Sequence, residues 1–192
     1  MHDNPQPVIE AVRNIVQQIA AGLRAFHRQE MIHQDLKPEN IMIDEHGMVK
    51  IIDFGSTKIA GIEEISTPLE RQNMPGTRNY TAPEYLQGYA GSNVSDIYSL
   101  GVVTYEMLTG ELPYGKKELI LRRLRRVRYQ SASRFNADLP VWIDKTLEKA
   151  TIIERKRHYS LLSEFIHDLA HPNPAIASRH AEPLMERNPL LV

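Results

Sequence analysis

Cysteine is absent from the 192-residue sequence, which removes disulfides, thiolate metal sites and cysteine nucleophiles and is compatible with a reducing cytoplasm. An excess of charge of one sign is lacking as well: 23 Lys and Arg face 24 Asp and Glu, for a formal net charge of -1. Wholesale nucleic-acid binding wants a clear basic excess, so no specific nucleic acid is expected, and a charge-driven partner must meet a local patch. No stretch approaches the ~20 apolar residues of a membrane span, and the opening MHDNPQPVIEAV holds neither a basic segment nor an apolar signal core. The expected location is cytoplasmic, with a membrane relevant only if the full-length protein continues past the tail. Internal repeats and low-complexity tracts are missing too. What is present, 42% hydrophobic and 24% charged residues, suits one soluble domain with one core.

Apolar residues recur at helical spacing from Val8 to about Arg28 (Val8, Val12, Ile15, Val16, Ile19, Leu23, Phe26), which predicts a long, half-buried helix. Two apolar runs, Ile41 to Ile43 and Val49 to Ile52, flank the turn-like Asp44-Glu45-His46-Gly47, so two short antiparallel strands follow. Residues 53 to 84 mix Gly, Pro, Thr and Asn without sustained periodicity and read as a long, ordered, functional loop. Ser95 to Thr109 is apolar nearly all round, the mark of a helix buried on most sides. Further helices are expected at Lys116 to Arg128, Pro140 to Ala150 and Leu161 to His171, giving five main helices. The tail from Pro172 to Val192 has four prolines and no periodicity.

The chemistry-bearing text is His33-Gln34-Asp35-Leu36-Lys37-Pro38-Glu39-Asn40, then Asp53-Phe54-Gly55, then Ala82-Pro83-Glu84. It closely resembles the protein-kinase signature set: the catalytic loop, the metal-binding D-F-G and the A-P-E that closes the activation segment. One triplet alone would be weak; their order, with 18 residues from Asp35 to Asp53, makes coincidence very improbable. Gly76-Thr77 resembles the substrate-docking loop, Ser95 to Gly101 the central helix, and the likeness covers about residues 8 to 170.

The resemblance implies a mainly α fold, the C-terminal lobe of a eukaryotic-like Ser/Thr protein kinase with a small β-hairpin over residues 1–171, followed by an irregular tail or linker, 172–192. It implies ATP as phosphoryl donor, Mg2+ (with Mn2+ as the alternative ion) and a protein Ser or Thr hydroxyl as acceptor. Phosphoryl transfer leaves the protein mostly positioning and charge neutralisation. Asp35 is then the proton acceptor, Lys37 the cation that neutralises charge on the transferring group, and Asn40 and Asp53 the hard oxygen ligands of the metal. Met42 and Ile52 line the adenine side of the cleft, with Val103 and Met107 packed beneath Met42, and Glu39 and Thr77 face the substrate. Structural roles fall to His33 against Phe54, to Gly55, to Asp96 as a brace for the catalytic loop, and to a buried ion pair of Glu84 with Arg157.

Three departures bear on function. The sequence holds no G-x-G-x-x-G, and the strand lysine and its glutamate partner have no counterpart, so the expectation is a lobe without its N-terminal companion, inactive alone. A non-catalytic kinase-like module that only binds partners is the alternative. Gln34 stands where kinases switched by loop phosphorylation carry Arg, and a neutral amide cannot grip a phosphate bidentately. The tail resembles the linker of bacterial phosphatase-kinase fusions. Residues 116 to 128 hold seven Lys or Arg and one acid; a solvated helix face with Leu119, Ile120, Leu121, Leu124 and Val127 inward is the plain reading, a docking face for an acidic partner or an anionic membrane the functional one. His167 and His171 have metal-ligand spacing but no third ligand, which favours surface histidines.

Overall fold

In the computed structural model, residues 9–53, 58–59 and 77–174 are described. Phe54, Gly55, Gly76, the tail from 175 onward with its linker likeness, and the side chain of Thr77 lie outside that set.

The first helix, α1 (Ile9–Arg28), buries Val12, Val16, Ile19, Ala20 and Leu23, residues three and four apart that share one face. Glu10 in its first turn and His27 and Arg28 in its last complement the helix dipole. Two small antiparallel pairs follow. One joins β1 (Met31–Ile32) to β4 (Lys58–Ile59); the other is the expected hairpin of β2 (Ile41–Ile43) and β3 (Val49–Ile51), with Ile41 opposite Ile51. The hairpin turn is built by Asp44, whose Oδ1 accepts the N–H groups of His46 and Met48 at 2.9 Å each, and by Gly47 at φ 78°.

The remaining helices are α2 (Pro83–Leu86), a single turn, and the long α3 (Asn93–Thr109), α4 (Val141–Ala150) and α5 (Leu162–Ala170). The last three match the expected positions. The central α3 is buried on most sides, packs on α1 and α4, and ends where Gly110 turns left-handed at φ 71°. Its Gly101 permits a close crossing: a Cβ there would fall 2.8 Å from the Ala150 side chain of α4. α5 closes the core against α1 and α4.

The helix expected over 116–128 does not form. Ile120 is extended at φ -130° and ψ 153°, and regular structure is limited to a 3-10 turn at Leu121–Arg123. The Arg123 guanidinium captures the carbonyls of Lys117 and Glu118 at 3.0 and 2.7 Å, holding the preceding segment open. Leu119 and Leu124 still turn inward at 1% and 7% exposure, whereas Leu121 is 59% exposed. The chain thus has four long helices among the described residues, not five. The β1–β4 pair was not expected, because two-residue strands carry no readable alternation.

Candidate active site

The catalytic-loop residues sit between α1 and the hairpin and are fixed from α3. Asp96, 1% exposed in the first turn of α3, accepts the backbone N–H of Gln34 on Oδ1 at 3.0 Å. Its Oδ2 accepts the N–H of His33 at 3.0 Å and the Nε2–H of His27 at 2.9 Å. This three-donor grip holds Gln34 at φ 69°, a left-handed conformation that costs an L-residue roughly 1–2 kcal/mol. Three charge-assisted bonds to one buried carboxylate outweigh that strain. Asp53 is also left-handed, at φ 62°.

Next to this anchored pair, Asp35 and Lys37 are partly buried and joined by a 2.8 Å contact between Lys37 Nζ and Asp35 Oδ2. Pro38 opens a 3-10 turn over Pro38–Asn40, which swings Asn40 back towards Asp35. Asn40 Nδ2 donates to the Asp35 carbonyl at 2.8 Å and to Asp35 Oδ2 at 3.2 Å. The carbonyl of buried Asn40 accepts the N–H of Ile52 at 2.8 Å, tying the segment that leads into Asp53 to the loop. Asp35, Lys37 and Asn40 are therefore one cluster, with Asp53 one residue beyond its tether.

His33 is fully buried and packs its ring against Phe26 at 6.0 Å. Burial lowers its pKa, opposed by the charges of Asp96 and Asp35, so the ring is neutral at pH 7. Met42 is 56% exposed on the hairpin and Ile52 half-buried, while Val103 is buried in α3. Glu39 is exposed, and Thr77 begins a 3-10 turn, Thr77–Asn79. The following Tyr80 donates its hydroxyl to Glu106 Oε2 at 2.7 Å; burial, that bond and the charges of Glu106 and Glu39 all raise its pKa.

The ion pair expected between Glu84 and Arg157 is not formed. Glu84 is buried at 1% exposure, but its Oε1 accepts the Ser95 hydroxyl at 2.7 Å and its Oε2 has no hydrogen-bond partner among the described residues. The Arg157 side chain is 63% exposed and lies 3.5 Å from Glu154. The 3-10 turn Arg155–Arg157 turns that guanidinium to solvent and brings Arg155 to Ser92 Oγ at 3.1 Å instead. The residue that sequence reasoning missed is His27, the third donor to Asp96; nothing marks it but its place in the last turn of α1.

Two donor types suit a hard divalent cation here, the Asn40 amide oxygen and the Asp53 carboxylate. The Asn40 Nδ2 is taken up by Asp35, which leaves Oδ1 as the amide atom of the type a hard cation accepts. Among the described residues no group of three or more His, Asp or Glu could hold a metal, and His167 and His171 stack on each other at 4.8 Å. A divalent ion in this cluster thus needs further oxygens from water or from a phosphate.

Comparison with known proteins gives the family. A family model described as "Protein kinase domain" matches residues 6–179. The serine/threonine-protein kinase PrkC of Bacillus subtilis is 31% identical over 158 residues, 81% of this chain and 24% of that protein. The serine/threonine-protein kinase PknA of Corynebacterium glutamicum is 46% identical over 102 residues, 53% of this chain and 21% of that protein. The crystal structure of the Mycobacterium tuberculosis PknI kinase domain superposes with a TM-score of 0.66 at 22% identity, over 89% of this chain and 58% of that one. That likeness is one of fold. The chain spans about a quarter of the length of the curated relatives it matches. Among the described residues no helix is long and apolar enough to cross a membrane.

Proposed function

Since the chain belongs to the protein kinase family, we propose that it is the catalytic lobe of a cytoplasmic Ser/Thr kinase that moves the γ-phosphate of ATP to a protein hydroxyl. The observation that carries this reading is the cluster of Asp35, Lys37 and Asn40, held within hydrogen-bond distance of one another on a loop anchored to α3. Asp35 aims the acceptor hydroxyl and takes its proton as the new O–P bond forms and the bond to the departing ADP oxygen breaks. Because Oδ2 of Asp35 is engaged by Lys37 and Asn40, the proton goes to Oδ1. Lys37 offsets negative charge on the transferring group from beside that carboxylate. Bound at Asn40 and Asp53, Mg2+ or Mn2+ would supply neutralisation of the phosphate oxygens. Met42 and Ile52 offer the apolar contacts for the adenine ring, and Glu39 and Thr77 are assigned to binding the acceptor peptide.

No G-x-G-x-x-G occurs in these 192 residues, so in this reading they do not themselves supply the glycine-rich phosphate cover. Purified alone, the chain is therefore expected to show negligible transfer from labelled ATP to a generic protein substrate. Robust labelling abolished by Asp35→Asn would overturn this incompleteness. In a longer form with the covering lobe, Asp35→Ala should remove nearly all turnover, and retention of more than about a tenth would remove Asp35 from the proton-accepting role. The neutral Gln34 amide, 7% exposed beneath the loop, leaves a phosphate on the activation segment without an arginine at this position, so regulation by partners is favoured over loop phosphorylation.

A further inference from the structure

Beyond the A-P-E turn the surface opens into a cleft of about 1060 Å³ between α2, residues 121–129 and residues 152–160. The non-helical 116–128 segment and the stretch around the 3-10 turn Arg155–Arg157 both line it, with Leu121, Leu124 and Ile152 among its apolar walls. Leu121 presents an apolar side chain at 59% exposure. Basic groups edge the same trough. Arg125 and Arg128 are exposed and carry neither a hydrogen bond nor an ion pair among the described residues, and Arg155 meets only the neutral Ser92 hydroxyl. Of the acids that line it, Glu84 is buried with only its Oε1 on the Ser95 hydroxyl, Glu148 is paired with Lys145 at 2.8 Å, and Glu154 lies 3.5 Å from Arg157, so the five Lys and Arg side chains of the lining outnumber them. In a chain of net charge -1 this is a local positive field over an apolar floor.

The trough is linked to the substrate side of the molecule. Arg78, in the turn Thr77–Asn79, lies 4.0 Å from Glu118, and the Asn79 amide reaches the Lys116 carbonyl at 3.4 Å. We propose that the cleft docks an acidic segment of the protein substrate, with its apolar side chains on Leu121, Leu124 and Ile152 and its carboxylates on Arg125, Arg128 and Arg155. Calling the ligand a substrate rests on the kinase reading; the binding does not. Charge complementarity selects an acidic peptide, and the apolar floor adds contacts that a purely ionic surface lacks.

The test is fluorescence anisotropy of the 192-residue chain, without nucleotide, against a labelled peptide of repeated Glu-Leu-Asp. Saturable, salt-weakened binding is expected, falling at least about tenfold in R125E/R128E and less than about twofold in the charge-matched R24E/R28E on α1. Leu121→Asp supplies a second variant at an exposed position, and circular dichroism checks each fold. No binding at 100 µM chain, equal losses in both double variants, or equal affinity for a Gln-Leu-Gln peptide would overturn the proposal. So would a dimer of the chain that the peptide displaces, or tighter binding to phosphatidylglycerol vesicles with the same sensitivity to R125E/R128E. Kinase assays are run separately, so that a failed docking site and a failed catalytic reading are told apart.

Discussion

The two regions that meet at the start of α3 treat their buried polar groups in opposite ways. On the catalytic-loop side, one carboxylate, Asp96, takes three donors and holds a left-handed residue in place. On the A-P-E side, Glu84 Oε2, the Tyr85 and Tyr98 hydroxyls and His158 Nδ1 are buried without a hydrogen-bond partner among the described residues. A satisfied network specifies one geometry; an unsatisfied one is where ordered water or a partner group has most to gain. At the start of α3 the Asp96 carboxylate is the saturated acceptor, and the side that borders the cleft is the one where Glu84 Oε2 and the Tyr85 and Tyr98 hydroxyls keep unused bonding capacity.

The comparison breaks most sharply at Asp96. Asp96→Ala leaves the His33 and Gln34 N–H groups and His27 without their acceptor, and the summed loss of charge-assisted bonds is roughly 4 kcal/mol. Urea unfolding measures it, and a loss below about 1 kcal/mol would mean the brace is replaceable by water.

A smaller effect compares the two buried histidines. Burial lowers the pKa of both His33 and His158, the second stacked on Tyr98 at 5.6 Å with its Nε2–H donated to the Ile152 carbonyl. A histidine whose folded pKa lies below its unfolded value near 6.5 gains a proton on unfolding. Stability is therefore full above about pH 6.5 and falls as pH drops below it, by at most about 1.4 kcal/mol per pH unit for each ring. Urea midpoints of His33→Asn and His158→Phe between pH 7.5 and 5 should show a shallower acid slope than the parent, and slopes identical to the parent would show that the rings protonate freely in the folded state.

The smallest change is expected at Arg157. With its side chain 63% exposed and its partner Glu154 equally so, Arg157→Ala should move stability by less than about 0.5 kcal/mol. A loss of about 3 kcal/mol or more would mean that its guanidinium closes on Glu84 in solution, which would bring the A-P-E side up to the polar satisfaction of the catalytic side.

Elements with long periodic patterns were legible in the sequence. Val12 to Leu23 and the apolar run in 95–109 place α1 and α3, and the Asp44 turn places the hairpin. Residues 116–128 carry a helical pattern too, but local capture of the Lys117 and Glu118 carbonyls by the Arg123 side chain competes with it. In the candidate site, motif order singled out Asp35, Lys37, Asn40 and Asp53, and the fold brings the first three together with Asp53 next to the Ile52 tether. It could not show that Arg157 stays at the surface beside Glu154 while Arg155 meets Ser92, since Arg155, Lys156 and Arg157 are alike in type and only the local turn separates them. His27 was hidden for a similar reason: its role comes from where a helix stops, and no spacing rule encodes that.

Ser95 and Asp96 are consecutive, so on an α-helix their side chains point about 100° apart around the axis. One clasps Glu84, the other the loop that carries Asp35. The first turn of α3 is thus a rivet through two plates: whatever unwinds it frees the α2 turn and the Asp35 loop in the same stroke, and neither plate can slide while the rivet holds.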